Sequence, residues 1–121
     1  MRLFALRGAN SVEVNEASAI LDATDALMRE LMRRNELTAE AMVSCIFTLT
    51  DDLDAEFPAV AARNLGLHKV PLLCAREVPV PGSLPRVIRT LVHYYAEAEH
   101  EPRHVYLGAA SKPRADLESA Q

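Results

Sequence analysis

The sequence has few of the residues that mark cofactor loops, disulfide frameworks or membrane anchors. Its 121 residues include no tryptophan, four glycines and two cysteines. No glycine-rich loop of the kind that cradles phosphate is present. Cys45 and Cys74 both lie in apolar, strand-like runs, which predicts reduced thiols and no disulfide. No run reaches the roughly 18 apolar residues of a membrane span, and the apolar run after Arg2 is too short for a signal peptide. We therefore predict a cytoplasmic protein.

The sequence also lacks an excess of positive charge. It has 13 lysines and arginines against 17 acidic residues, for a formal net charge of -4. This balance argues against a nucleic-acid-binding protein, which usually carries a basic stripe. Half of the residues are hydrophobic and a quarter are charged, as in ordinary globular domains. The length predicts a single domain over residues 1–121. Any anion site must be a local cluster of arginines.

Hydrophobic periodicity predicts an α+β fold in the order β-α-β-α-β-β. Asn15 is a candidate cap for the first helix. We expect the last two strands to form a hairpin, and both helices to cover one face of a mixed sheet. The tail, residues 109–121, has no clear periodicity and is expected to be mobile. The predicted strands are 2–9, 43–50, 69–77, 86–95 and 103–108, and the predicted helices are 16–35 and 58–65.

The fourth predicted strand is apolar on both faces. Val87 and Leu91 alternate with Ile88 and Val92, and two helices can cover only one side of the sheet. An uncovered apolar face is typical of a subunit interface. The pattern therefore predicts an oligomer.

Two arginines stand inside apolar strands, Arg7 in "LFALRGA" and Arg89 in "RVIRTLV". Burying a charge without a partner is costly. One interpretation is that each arginine pairs with a structural carboxylate, for which Glu77 is the nearest candidate. The other is that guanidinium groups bind the carboxylates of a ligand bidentately. With two arginines and only one nearby acidic residue, the positive charge exceeds the negative charge, which favours an anionic ligand.

Other chemical patterns in the sequence are weaker. Cys74 as a nucleophile would need a histidine base, and no pattern identifies one. His100 and His104 have helical spacing, but Pro102 between them favours a solvated loop over a metal site. The acidic cluster at residues 51–54 lacks the spacing of a calcium loop and favours a turn with a helix cap. We predict no metal and no cofactor.

Four motifs, in order, resemble the AroH class of chorismate mutases. They are "LRGAN", "TDDLDAEFPAVAAR", "VPLLCAREVPVPGSLPRVIR" and "RHVYL". The later "PRADL" is similar to that family's closing motif. The resemblance runs from the first strand to the tail. It implies a homotrimer whose sheets form a pseudo-barrel, with each active site built by neighbouring subunits and the tail near the pocket mouth. It also implies conversion of chorismate to prephenate, toward phenylalanine and tyrosine.

The resemblance assigns site residues position by position. It implies that Arg89 lies beside the breaking ether oxygen, that Glu77 binds the ring hydroxyl, and that Arg7 grips a carboxylate. The resemblance also implies a wider set of substrate-binding residues: Arg7, Phe57, Arg63, Leu73, Cys74, Ala75, Arg76, Glu77, Arg89 and Tyr106. Because strand alternation separates Cys74 from Glu77, we expect a bulge or a strand end near Arg76.

Two other functions are compatible with the residues. A trimeric imine or enamine deaminase shares this fold, but it would not predict "RGA", "CARE" and "VIR" together. A regulatory trimer that binds a small molecule without turnover is disfavoured by the polarised Arg89 and Glu77. Following the ultraviolet absorbance of chorismate in the presence of the protein separates all three.

Overall fold

The computed structural model describes residues 1–111, which form one mixed sheet with two helices packed on one face. The strands are β1 (Arg2–Ser11), β2 (Met42–Leu49), β3 (Leu72–Arg76), β4 (Val87–Ala96) and β5 (Val105–Tyr106). The helices are α1 (Ala17–Arg34) and α2 (Ala59–Asn64), and short 3-10 turns cover Ala39–Ala41 and Gly108–Ser111. The α+β class and the element order are confirmed. Within the described residues neither helix is long and apolar enough to span a membrane.

The spatial order of the strands is β3-β2-β4-β1-β5. β4 lies at the centre and pairs antiparallel with both β1 and β2. β3 pairs parallel with β2, and β5 pairs parallel with β1. The predicted hairpin of the last two strands is therefore wrong. An eight-residue connection, residues 97–104, carries the chain past β1, so β5 adds to the far side of that strand.

The core lies between the sheet and α1. The helix buries an apolar stripe that includes Ile20, Leu27 and Leu31, as its three- and four-residue periodicity predicts. Alternate β4 side chains, among them Ile88 and Val92, are fully buried against it. The intervening β4 residues therefore point to the opposite surface, which we call the outer face of the sheet.

Asn15 does not cap α1. The cap position is Glu16, which makes no side-chain capping bond. The Asn15 side-chain oxygen accepts the backbone N–H groups of Asp54 and Ala55, each at 3.1 Å. Its amide donates to the Asp54 carboxylate at 2.7 Å. Asn15 thus stabilises the loop before α2, because its side chain bonds across the fold and not along the helix.

The tail is described only in part. Residues 109–111 belong to the 3-10 turn that starts at Gly108, and the Ala109 N–H donates to the Ser11 hydroxyl at 2.9 Å. The start of the predicted tail is therefore ordered against β1. Residues 112–121, which include "PRADL", lie outside the described residues.

Candidate active site

Arg89 lies on the outer face, at the centre of the sheet. Its flanking residues Ile88 and Thr90 are buried on the helix side, so alternation turns the arginine away from the core. Its register partners are Ala9 on β1 and Thr48 on β2. The guanidinium is therefore held in the middle of a rigid sheet and not at the tip of a loop.

Glu77 is the carboxylate partner of Arg89. It directly follows β3, and its N–H donates to the Leu49 carbonyl at 2.9 Å. Its carboxylate accepts a hydrogen bond from the Arg89 guanidinium and another from the Thr48 hydroxyl at 2.6 Å. The two charged side chains are only 23% and 19% exposed. Of the two interpretations of Arg89, the pairing with Glu77 is therefore present in the single chain, and partial burial keeps water from weakening it.

Thr48 is a site residue that the sequence interpretation missed. A usable signal was present, since Thr48 is one of two threonines in the otherwise apolar run "CIFTLT". The signal becomes specific only when the register places Thr48 beside Arg89.

Arg7 and Tyr106 share the outer face with Arg89. Ala9 pairs with Arg89 on one side and with Tyr106 on the other. Arg7 is two residues from Ala9, which puts it on the same face about 7 Å along the strand. Within residues 1–111, the Arg7 guanidinium forms no ion pair. The outer face thus brings the guanidinium groups of Arg7 and Arg89 together with the Glu77 carboxylate and the Tyr106 phenol, and guanidinium groups bind anions such as carboxylates bidentately.

A second group of predicted residues lies on the other side of β3. A cavity of about 310 Å³ is lined by Phe57, Cys74, Ala75 and Arg76, together with the loop that precedes Phe57. Phe57 is 66% exposed at this cavity. Cys74 pairs in register with the buried Phe47, so its side chain turns toward the helix side of the sheet. The Arg76 guanidinium donates to the Asp51 carbonyl at 3.0 Å.

The single chain therefore divides the predicted site residues into two groups. The expected strand end near Arg76 is confirmed, but it does not bring Cys74 and Glu77 to the same face. Leu73 is exposed on the outer side of β3, next to Ile46 of β2. Arg63 is exposed in the last turn of α2 and does not line the 310 Å³ cavity.

The proline-rich loop between β3 and β4 is fixed at both of its ends. At the β3 end, the Glu77 backbone is bonded to Leu49. At the β4 end, the Asp52 carboxylate accepts the Arg86 N–H with both oxygens, at 3.1 and 3.0 Å. The Thr50 hydroxyl donates to Asp52 at 2.5 Å and accepts the Val87 N–H at 3.0 Å. Asp52 thus anchors the loop that connects Glu77 to Arg89. No α2 cap by the acidic cluster is found among the described residues.

The chemistry available is electrostatic. Within residues 1–111, no group of three or more histidine, cysteine or acidic side chains is placed to hold a metal ion. Burial raises the pKa of the Cys45 thiol to about 11, so it stays protonated at neutral pH and is a poor nucleophile. The Arg89 guanidinium has five N–H donors, and only the bond to Glu77 is found in the described part of the chain. The remaining donors can bind an anion on the outer face.

Fold and site together define a class of protein, an α+β domain whose sheet surface presents guanidinium donors to an anionic ligand. A family model, chorismate mutase type I, matches residues 3–117. The chain belongs to this family, which is a family of isomerases.

Full-length relatives support the same assignment. The chain is 50% identical over 118 residues to chorismate mutase AroH of Thermus thermophilus, with 96% of this chain and 97% of the relative covered. It is 34% identical over 119 residues to chorismate mutase AroH of Bacillus subtilis, with 97% and 94% covered. A solved chorismate mutase from Clostridium thermocellum superposes with a TM-score of 0.86 at 42% identity. The match covers 88% of this chain and 96% of that one.

Proposed function

We propose that the protein converts chorismate to prephenate on the outer face of its sheet, in the synthesis of phenylalanine and tyrosine. The observation that carries the proposal is the fixed arrangement of Arg89, Glu77 and Thr48 in a chain of the chorismate mutase type I family. The reaction is a concerted rearrangement in which the ether C–O bond breaks ahead of C–C bond formation. No proton and no electron pair has to come from the protein.

The geometry supports a specific division of roles. Negative charge grows on the ether oxygen as its bond breaks, and the free donors of Arg89 stabilise that charge in the transition state. Glu77, oriented by Thr48, accepts a hydrogen bond from the ring hydroxyl. Arg7 and Tyr106 bind a carboxylate, which holds the substrate in its folded conformer. No cofactor takes part in this scheme.

We further propose that the enzyme is a homotrimer with its active sites between subunits. Two observations support this: the site residues lie in two groups on opposite sides of β3, and the outer face exposes apolar side chains. Leu3 and Tyr95 are each 48% exposed, and Leu73 is 61% exposed. In the trimer, Phe57, Cys74 and Arg63 of one subunit would close the pocket over the Arg89 face of its neighbour. A monomer found by light scattering at micromolar concentration would contradict the proposed trimer.

We also place the enzyme in the cytoplasm. Its two cysteines are free, and free thiols persist in reducing compartments. Fractionation that recovers the native protein outside the cytoplasm would contradict this placement.

The test of the catalytic proposal is to substitute Arg89 and follow chorismate absorbance. Arg89→Ala is expected to lower kcat by at least ~10²–10³-fold, or roughly 3–4 kcal/mol, by analogy with loss of one oxyanion donor. Arg89→Lys keeps the charge without the planar fork and should recover only part of the rate. Arg7→Ala should mainly raise KM, since a carboxylate is equally charged in the ground and transition states.

Arg29→Ala is the matched control. It removes an arginine from an exposed ion pair with Asp25 on α1, and such pairs contribute little to stability. This variant should retain normal kinetics. All variants are first checked for assembly, because Arg89 also pairs with Glu77. A folded, assembled Arg89→Ala protein with near-normal kcat would refute the mechanism.

A further inference from the structure

The edge strand β5 is extended by a histidine side chain. β5 has only two residues, paired with Gly8 and Ala9 of β1. One position before this pairing, the Arg7 backbone N–H donates to Nδ1 of His104 at 3.0 Å. The imidazole therefore supplies the acceptor that a longer β5 would have supplied from its backbone. Since Nδ1 accepts, the ring is in the neutral form with its proton on Nε2.

The segment that carries His104 is anchored on the other side by Asn35, at the end of α1. The Asn35 side-chain oxygen accepts the Arg103 N–H at 2.8 Å, and its amide donates to the Arg103 carbonyl at 2.9 Å. A further bond from the same amide to the Leu31 carbonyl, at 2.9 Å, fixes Asn35 on the helix. Beyond β5, the Leu107 N–H donates to the Ala9 carbonyl at 2.9 Å. Tyr106 thus lies between two anchored points.

We propose that His104 is a positioning residue for substrate binding. Its neutral imidazole fixes the β1 backbone at Arg7, and it fixes the register in which β5, with Tyr106, pairs with β1. The inference rests on the proposed roles of Arg7 and Tyr106 as carboxylate-binding residues. His104 itself touches no substrate in this scheme. Its effect should therefore fall on KM and leave kcat nearly unchanged.

Protonation of His104 removes the interaction, because an imidazolium has two N–H donors and no acceptor. The Arg7 N–H would then face another donor. The charged residues nearest in sequence to the bonded groups are Arg7 itself, Glu101 and Arg103 on the segment of His104, and Arg34 and Glu36 beside Asn35. Cations and carboxylates are both present, so substitutions at His104, and not the wild-type profile alone, assign an effect of pH to this bond.

The experiment measures KM and kcat for chorismate between about pH 5 and 8. In the wild type, KM should rise as the pH falls. His104→Asn keeps a side-chain acceptor that does not protonate, so its KM should stay low and flat with pH. His104→Leu removes the acceptor and should raise KM about three- to tenfold at every pH, as the loss of one hydrogen bond allows. In all three proteins kcat should agree within about twofold.

His68→Asn is the control, because His68 is exposed on the loop after α2. This variant should keep the wild-type acid rise of KM. A wild-type KM that is flat with pH would overturn the proposal, and so would an acid rise that persists in His104→Asn. If His104→Leu fails to assemble, the pH profile of His104→Asn decides alone. An Arg7→Ala variant with unchanged KM would instead refute the proposed role of Arg7.

Discussion

Replacing Asp52 should lower both the stability and the kcat of the protein, although Asp52 is not one of the proposed substrate-binding residues. The Asp52 carboxylate holds the Arg86 N–H with both oxygens and accepts the Thr50 hydroxyl. Arg86 has a backbone φ of 49°, a left-handed conformation that costs a residue with a Cβ atom about 1–2 kcal/mol. Asp52→Ala removes the acceptors that keep this turn in place. Within residues 1–111, the β4 end of the proline-rich loop then keeps only its hydrogen bonds to Val12 and Thr50.

The expected cost follows from these contacts. A hydrogen bond to a charged group contributes about 1.5–3 kcal/mol, but Asp52 is exposed, so water compensates for much of the loss. We therefore expect Asp52→Ala to lower the free energy of unfolding by about 1–2 kcal/mol and the Tm by about 4–10 °C. The kcat should fall between about 3- and 30-fold, less than the roughly 10²-fold that a 1 Å misplacement can cost. Thermal melts at fixed protein concentration and steady-state kinetics measure both effects.

Asp51→Ala is the matched control for Asp52. Asp51 is the adjacent carboxylate and is also exposed, and only its backbone carbonyl makes a described contact, with Arg76. Its Tm and kcat should be close to those of the wild type. The reasoning fails if Asp52→Ala melts within about 1 °C of Asp51→Ala and has the same kcat.

The remaining predictions concern thiols, a glycine and the tail. If Cys74 is only a polar contact for the substrate, Cys74→Ser should keep most of the activity, and complete loss would restore the nucleophile hypothesis. Gly108→Ala should destabilise the fold, since φ is +57° and a Cβ atom would lie 2.3 Å from the Ser11 hydroxyl oxygen; a normal melting curve would contradict this. Burial raises the pKa of Cys45 from its ordinary value of 9.0 to about 11, so the unfolded thiol ionises first and stability should fall as pH rises between these values. Cys45→Ala should flatten that decline in alkaline unfolding measurements. Truncation before Lys112 should raise KM more than it lowers kcat, and equal effects would point to a structural tail.

The sequence predicted those parts of the fold that depend on local pattern. The apolar stripe of α1 and the alternation of β4 are local, so both elements are close to their predicted bounds. Arg89 could be singled out because a charge in an apolar strand conflicts with its neighbours. Pro71 lacks the N–H that a central strand needs, which favours an edge or strand-start position, and it immediately precedes the edge strand β3.

What could not be predicted depends on residues far apart in the chain. β5 pairs with β1 because of the route of the connection after β4, which no local pattern records. Thr48 and Glu77 are 29 residues apart, and Arg7 and His104 are 97 apart. Asp52 was interpreted as part of a turn because its partner, the Arg86 N–H, is a backbone group. A side chain that hydrogen-bonds a backbone group far away in the sequence forms no recognisable sequence motif with it.

The position of β1 between β4 and β5 has a consequence for biosynthesis. β1 is made first, but its neighbours in the sheet begin at Val87 and Val105. At roughly 5–20 residues per second on the ribosome, β1 waits on the order of 4–15 s for β4 to be synthesised. During that interval an apolar strand has both of its edges open, which is the condition that favours aggregation. Nascent chains arrested before β4 should therefore be the form of this protein that depends most on chaperones.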